Sequence, residues 1–172
     1  MTRCLRYIPF VLLAITAAAA TGHAQNPGLS QTGVPSQNPG LAQTPETQKA
    51  IAAATGFMNA LIRDSSIDNL LPLCSLPFCH DDSVIITTHA ELQRSLNQLI
   101  AAAAKDRSRT HPRVDSAYVL NIRKGAMFGM VPMNIYFTVV QLRFTVRGQQ
   151  ASRLFILAVQ LTDEAKVVGI EE

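Results

Sequence analysis

Residues 113–122 read RVDSAYVLNI, and here the hydrophobic period of the chain changes from that of a helix to that of a strand. Two sets of side chains alternate at every second position, which is typical of a β-strand with two different faces. Three further runs, at 136–146, 154–161 and 166–170, are rich in β-branched and aromatic residues. Together these runs predict four strands in meander order. Residues 154–161 are apolar on both faces, so this strand is either central and covered on both sides or in contact with a second subunit.

The chain before these strands has helical patterning. Apolar residues recur at helical spacing over about 45–63, and Thr44 followed by a proline is a typical helix start. A second, short helix is predicted after Ser66, a capping residue. It should end at Pro72, because proline cannot continue a helix.

A hairpin and a third helix complete the N-terminal half. Residues 76–80 and 83–87 are short apolar stretches separated by two aspartates, which predicts a small hairpin. Thr88 and Glu91 have the spacing of a capping box, and the apolar stripe that follows predicts a helix ending near Lys105. Because helices come first and strands afterwards, the expected class is α+β, with three N-terminal helices against one face of a mainly antiparallel sheet.

The first 24 residues are interpreted as an export signal and not as part of the fold. Arg3 and Arg6 precede an apolar run at 8–20, and Gly-His-Ala at 22–24 has small residues where a signal peptidase requires them. The apolar run is shorter than the roughly 20 residues that span a bilayer, so cleavage is favoured over a retained membrane anchor. We therefore expect a periplasmic or secreted protein without stable membrane insertion after cleavage.

Residues 25–44 form a Gln-, Pro- and Gly-rich leader that contains QNPGL twice, at 25–29 and 37–41. Such a segment cannot bury enough apolar surface to offset the entropy lost on ordering. We expect it to be disordered, with the repeat arising either as a docking motif or by slippage in a linker. One folded domain at 45–172 is then left.

The charge balance argues against a polyanionic partner. The 172-residue chain has 15 Lys and Arg against 12 Asp and Glu, and loss of the two signal arginines lowers the formal net charge from +3 to +1. Nucleic acid is therefore not an expected partner. The basic residues at 107–113 are interpreted as a solvated loop between a helix and a strand, with phosphate binding as the alternative.

The order and spacing of these elements resemble a known family. The best local matches are IDNLL at 67–71, TTHAEL at 87–92 and AKVV at 165–168. Over about 45–170 the chain resembles the nuclear transport factor 2-like superfamily, which includes SnoaL-like proteins and ketosteroid isomerase. The resemblance implies a cone-shaped fold, in which a strongly curved sheet wraps the long helix around an apolar cavity. It also implies a homodimer through the sheet as one expected state, while fold alone does not determine function.

The isomerases of that family need a carboxylate base and two acidic donors in a dry pocket. On this resemblance Phe57 takes the place of the donor tyrosine, and Leu157 takes the place of the protonated aspartic acid. The base would fall near His80 or Asp81, where two adjacent carboxylates also fit a solvated turn. With two of three roles lost, an isomerase of this type is not expected and no catalytic residue is assigned.

Other catalytic and metal-binding patterns give no site. The sequence contains no Gly-rich phosphate loop, no G-x-S-x-G elbow and no H-E-x-x-H. His80, Asp81 and His89 are candidate metal ligands by type, but they span a turn, a strand and a helix start. Neither a metal nor another cofactor is therefore expected.

Two segments leave alternatives open. Cys74 and Cys79 are the only cysteines that remain after signal cleavage, and they form either a disulfide, worth roughly 2 kcal/mol in an oxidising compartment, or two buried thiols. Residues 124–133 are Met-rich and more apolar than an ordinary hairpin loop. We expect this segment to pack over the cavity or against a partner and not to bind a soft metal.

Two functional hypotheses follow. The first is an exported, non-catalytic domain that binds a small apolar molecule or a protein partner in its cavity. The second is a small isomerase, dehydratase or hydrolase, with Asp115, Tyr118 or Tyr136 as a hidden acid or base. The absence of acidic donors at Phe57 and Leu157 favours the non-catalytic hypothesis. The predicted ligand-binding wall consists of Phe57, Leu61, Phe78, Leu96, Tyr118 and Leu157.

Overall fold

Three helices pack against one face of a six-stranded sheet. The computed structural model describes residues 43–64, 66–80, 84–128 and 131–171. The predicted signal peptide and nearly all of the predicted leader therefore lie outside the described residues. Within them, none of the helices is both long enough and apolar enough to cross a membrane. The predicted α+β class, with helices first and a mainly antiparallel sheet after them, is confirmed.

The helical part contains three α-helices, a π-helical turn directly after the first and a 3₁₀ turn directly after the second. Their bounds are α1 Pro45–Asn59, the π-helical turn Ala60–Asp64, α2 Ile67–Leu70, the 3₁₀ turn Leu71–Leu73 and α3 His89–Thr110.

The helix starts follow the capping residues in the sequence. The Thr44 hydroxyl accepts the Thr47 N–H at 3.2 Å, and the Thr47 hydroxyl oxygen accepts the Thr44 N–H at 2.7 Å, which is a reciprocal capping box. At the start of α3 the Glu91 N–H donates to the Thr88 hydroxyl at 3.3 Å. The Thr88 hydroxyl in turn donates to the Glu91 carboxylate at 2.9 Å. Ser66 precedes α2 as expected, but its side chain makes no capping hydrogen bond.

One helix end differs from the expectation. The α2 helix ends at Leu70, before Pro72 as predicted, and Pro72 lies inside the 3₁₀ turn that follows, because proline is tolerated in the first turn of a helix, where its N–H is not needed. The third helix continues past Lys105 to Thr110. The first strong stop is Pro112, which disfavours helical backbone at His111, and that residue adopts a left-handed φ of 45°.

Six strands form one mixed, open sheet in the order β2-β1-β6-β5-β4-β3. The small hairpin of β1 and β2 and the meander of β3 to β6 are both as predicted, and β1 joins the meander by pairing parallel with β6. The strands are β1 Cys74–His80, β2 Val84–Ile86, β3 Arg113–Phe128, β4 Val131–Val146, β5 Gln149–Leu161 and β6 Ala165–Glu171.

The segment at 124–133, which the sequence predicted to be a loop, is mostly strand. A register shift between Arg123 and Ala126 accommodates Gly125 at a φ of 62°, and the Gly125 N–H donates to the Asn134 side-chain oxygen at 3.1 Å. This bulge lets the ladder continue to its last pair, where Phe128 is opposite Val131. The long apolar connection is therefore the outer part of a β-hairpin.

Bulges also change which face of β3 points at the helices. The register shifts after Val114 and again after Val119, so a single alternation does not run along the strand. Ala117 and Val119 belong to the main apolar cluster under the helices. Tyr118, between them, is opposite Val139 and points to the other face of the sheet.

The sheet buries apolar residues on both faces. The main cluster lies between α1, α3 and the sheet, and its central members from β1, α1 and β5 have no exposed surface. β5 lies between β4 and β6, so the central position predicted for this strand is confirmed, while contact of its outer face with a second subunit stays a prediction. Its Leu157 belongs to the main cluster and its Ala158 to the second. The second cluster consists of Cys79, Met133, Ile135, Phe137, Ala158 and Val168.

Candidate ligand-binding site

A cavity of about 150 Å³ lies where the end of α1, the C-terminal half of α3 and the sheet meet. The residues that line it come from every layer of the fold. Most are apolar; Thr110 and Arg153 are the two with polar side chains. The lining residues are Met58, Leu61, Ile62, Leu99, Ala102, Ala103, Thr110, Pro112, Leu142, Phe144, Arg153, Phe155 and Ile170.

The cavity arises from two local features of the helices. Leu61 and Ile62 lie in the π-helical turn, whose wider coil changes the direction of side chains relative to α1, and both are about 5% exposed or less. On α3, the stripe of leucines that fills the space against the sheet gives way to Ala102 and Ala103. Alanine side chains fill less of the space between helix and sheet, so a void remains there.

Arg153 lies at the mouth of this cavity. It is on β5 opposite Leu142 of β4, and its side chain is exposed. Phe155, two residues further along the same face of β5, is half-buried and also lines the cavity. The mouth therefore combines an aromatic wall with a cationic edge.

A second, more polar depression of about 220 Å³ adjoins the first at Phe144, which lines both. Arg143, at this depression, donates a hydrogen bond of 2.7 Å to the Asp115 carboxylate. The basic segment at 107–113 is not a loop throughout, because α3 continues to Thr110, and its last residues His111 and Arg113 line this depression. The lining residues are His111, Arg113, Arg143, Phe144, Thr145 and Gln150.

The structure separates the residues of the predicted ligand-binding wall. Leu61 lines the cavity. Phe57, Phe78, Leu96 and Leu157 are each 0% exposed and form the solid centre of the main cluster. Tyr118 is half-buried on the face of β3 that points away from the helices. A ligand contact by any of these six residues stays a prediction.

The positions that correspond to isomerase residues do not come together around an empty space. Phe57 and Leu157 are packed inside the main cluster, and Asp81 lies outside the described residues. His80 is half-buried at the end of β1, and its Nδ1 is 3.0 Å from the Ser95 hydroxyl of α3. The sequence analysis missed this pair, because the two residues are distant in the chain and match no motif.

The Ser95 and His80 pair has the chemical types of a nucleophile and a base. Ser95, however, is only 7% exposed, and neither residue lines either of the two cavities. A serine nucleophile must reach the reacting atom of a substrate, which this position does not allow. We therefore interpret the pair as a structural hydrogen bond that joins the end of β1 to α3.

The described residues contain no cluster of three or more His, Cys, Asp or Glu side chains that could hold a metal ion. Of the candidate ligands by type, His89 is exposed at the start of α3. Met133, from the Met-rich segment, is buried in the second cluster, on the face of the sheet opposite the cavity. That side chain therefore does not cover the cavity.

The two cysteines are present as thiols. Cys74 packs against the main cluster and donates to the Leu70 carbonyl at 3.5 Å, whereas Cys79 belongs to the second cluster. Burial raises the pKa of the Cys74 thiol to about 12, an effect that the charge of Lys166 opposes. Of the two alternatives, the structure has the thiols and not the disulfide, because Cys74 and Cys79 both lie on β1 and pack on opposite faces of the sheet.

Comparisons with known proteins add little to this geometry. No family model and no curated protein matches the chain. The solved structure of an LEH-like epoxide hydrolase from M. tuberculosis is similar to it at 14% sequence identity, over 74% of this chain and 79% of that one, with a TM-score of 0.39. The site is therefore interpreted from its own residues.

Proposed function

We propose that this protein binds a small, mainly apolar molecule in the cavity between α1, α3 and the sheet, and that it does so without converting it chemically. One observation carries the proposal. Among the described residues that line the cavity, Arg153 is the only ionisable one, and the rest of the wall is apolar apart from the Thr110 hydroxyl. Ligand sites in proteins commonly combine such a wall with a few polar groups at fixed positions.

The volume of the cavity limits the size of the ligand. An apolar protein cavity of about 150 Å³ is large enough for a molecule the size of benzene. Burying about 200 Å² of apolar ligand surface at about 25 cal/mol per Å² contributes about 5 kcal/mol. This free energy corresponds to a dissociation constant of about 0.2 mM. Additional polar contacts at the mouth would strengthen binding.

The lining offers little for catalysis. Proton transfer needs a group that changes its protonation near neutral pH and lies within hydrogen-bond reach of the reacting atom. The cavity walls, as far as the chain is described, carry no carboxyl, imidazole or thiol group. A guanidinium group donates hydrogen bonds and has no acceptor, so it does not supply a base. These observations favour binding over the alternative of a small isomerase, dehydratase or hydrolase.

The sequence pattern of residues 1–24 supports a further part of the proposal, namely that binding takes place outside the cytoplasm, in the periplasm or the medium. The order of elements is consistent with membership of the nuclear transport factor 2-like superfamily. Dimerisation through the sheet remains a prediction from that resemblance, and a protein partner remains the alternative to a small molecule in the binding hypothesis.

Cavity filling tests the proposed function. Ala103 lines the cavity, and the neighbouring Ala104 is exposed and does not, so Ala103→Phe and Ala104→Phe add the same side chain to adjacent positions of α3. We expect the unmodified chain and Ala104→Phe to bind hexan-1-ol saturably in a heteronuclear NMR titration, with shifts at Leu61, Leu99 and Phe155. Ala103→Phe should weaken this binding at least about tenfold while keeping the thermal midpoint. Equal binding by both variants would place the ligand elsewhere.

A further inference from the structure

We propose that the ligand is a small carboxylic acid of about six to eight carbons, with its hydrocarbon part inside the cavity and its carboxylate at Arg153. This inference rests on the proposed function for the location of the site. It goes further by assigning the chemical class of the ligand and the residue that selects it.

The exposure of the side chains decreases along one face of β5. Arg153, Phe155 and Leu157 point to the same side of the sheet, and they are exposed, half-buried and 0% exposed respectively. A ligand lying along this face meets charge at the solvent end and hydrocarbon at the inner end. A molecule with one anionic end and one apolar end has the complementary pattern.

Arginine side chains surround the mouth of the cavity. Arg153 lines the cavity, and Arg113 and Arg143 line the adjoining depression. No Asp or Glu is among the described residues that line either space. Asp115, the carboxylate close to them, is already bonded to Arg143 at 2.7 Å. The ionisable side chains among the described lining residues are therefore cationic apart from His111, and such a lining favours an anion over a cationic ligand.

The shape of the arginine guanidinium group suits a carboxylate. A guanidinium group presents paired N–H donors that match the two oxygens of a carboxylate, and such charge-assisted bonds are stronger than neutral ones. The cavity is too small for the chain of a long fatty acid or a lipid. A short aliphatic or monocyclic acid fits both the volume and the charged edge.

The test compares hexanoate with hexan-1-ol, which have the same chain length but differ in charge at neutral pH. Binding of each is measured by NMR titration of the full chain, of Arg153→Gln, and of Arg94→Gln as a control. Arg94 is exposed on α3 and lines neither cavity, so this variant removes the same charge from a surface outside the proposed site. Ala103→Phe reports whether both probes occupy the cavity.

We expect the unmodified chain and Arg94→Gln to bind hexanoate about tenfold more tightly than hexan-1-ol. Arg153→Gln should bring this ratio close to one and leave the affinity for hexan-1-ol unchanged, and Ala103→Phe should weaken both probes. If hexan-1-ol binds in the cavity but hexanoate binds no more tightly, or if Arg153→Gln keeps the preference, the carboxylate assignment is wrong and the proposed function stands. If neither probe binds, both are wrong.

Discussion

Leu157 is the position where the resemblance to isomerases would place a protonated aspartic acid, and its surroundings predict what a carboxyl group would do there. The side chain is 0% exposed. It lies opposite Thr138 of β4 and Ile170 of β6, which are 0% and 6% exposed. We predict that Leu157→Asp removes most of the stability of the fold without creating an acidic donor.

Two contributions determine how much folding stability Leu157→Asp loses. Truncating a fully buried leucine to alanine costs about 2–5 kcal/mol, and this site should lie in the upper half of that range because its neighbours come from paired strands that cannot collapse into the space. Burying a carboxyl group without partners adds about 1–3 kcal/mol. The Thr138 hydroxyl is the nearest polar group by register, and it already donates to the Tyr136 carbonyl at 3.5 Å. A single hydrogen bond from Thr138 would offset only about 1 kcal/mol.

The assay is urea unfolding followed by circular dichroism, with Leu157→Ala, Leu157→Asn and Leu157→Asp measured together. Leu157→Asn has the same size as Leu157→Asp but no charge, so their difference isolates the ionised carboxyl. That difference should be near zero well below pH 4 and should grow as the pH rises above the ordinary aspartate pKa, because burial disfavours the charged form. Leu154→Asp is the matched control, since Leu154 is on the same strand but 53% exposed, and it should change stability by less than about 0.5 kcal/mol.

Equal stability of Leu157→Asp and Leu157→Ala at pH 7 would contradict this prediction. Such a result would mean that neighbouring groups can satisfy a carboxylate at this position. The main cluster would then be able to hold the acidic donor of an isomerase, and burial at Leu157 would no longer count against isomerase activity.

The remaining predictions concern the thiols, the His80 contact, the sheet interior and the N-terminus. Because the Cys74 pKa is about 12, only about one molecule in ten thousand carries its thiolate at pH 8, so Cys74 should resist alkylation in the folded protein. Both cysteines should react after denaturation without reductant, and protection there would indicate a disulfide. Ser95→Ala should lose about 1 kcal/mol in urea unfolding, by removing the contact with His80, and leave hexan-1-ol binding unchanged; lost binding would connect this pair to the site. Gly169→Val should lower stability by about 1–3 kcal/mol, since a Cβ at Gly169 would lie 3.1 Å from the Cys79 carbonyl oxygen; an unchanged midpoint would mean that β1 can shift. Mass spectrometry of the exported protein should find Gln25 as the first residue, and retention of the preceding segment would contradict the signal assignment.

The elements with local signals were predictable. The faces of β3 and the outer part of the β3–β4 hairpin, which depend on bulges, were not. The threonine caps and apolar stripes of α1 and α3 depend on residues three or four apart, so the sequence alone locates them. The face of β3 depends on extra residues that the ladder accommodates near Val114 and Val119, and no residue type in that stretch signals them. Tyr118, a residue of the predicted wall, therefore lies on the face of β3 that points away from the helices, and its alternation with Val119 is as predicted.

The cavity was harder to predict than the core for a physical reason. Large apolar residues such as Phe57 and Leu157 signal where space is filled, whereas a cavity exists where side chains are short. Ala102 and Ala103 were the usable signal, because they interrupt the leucine stripe of α3 before the helix ends. The predicted wall consists of large side chains, and four of them lie in the packed centre, namely Phe57, Phe78, Leu96 and Leu157.

The packed centre and the cavity are separate, so substitutions in the two places have different effects on stability. The centre of the main cluster has no exposed surface, so an acidic group placed there would reduce stability before it could serve a reaction. Around the cavity, Ala103, Phe144 and Phe155 are only half-buried, and they lie next to the end of the sheet where Arg153 meets solvent. Substitutions at this edge remove less packing, because the residues already lack neighbours on one side. Ligand selectivity at this edge can therefore change with little loss of stability, which also makes the variants that test binding the ones most expected to fold.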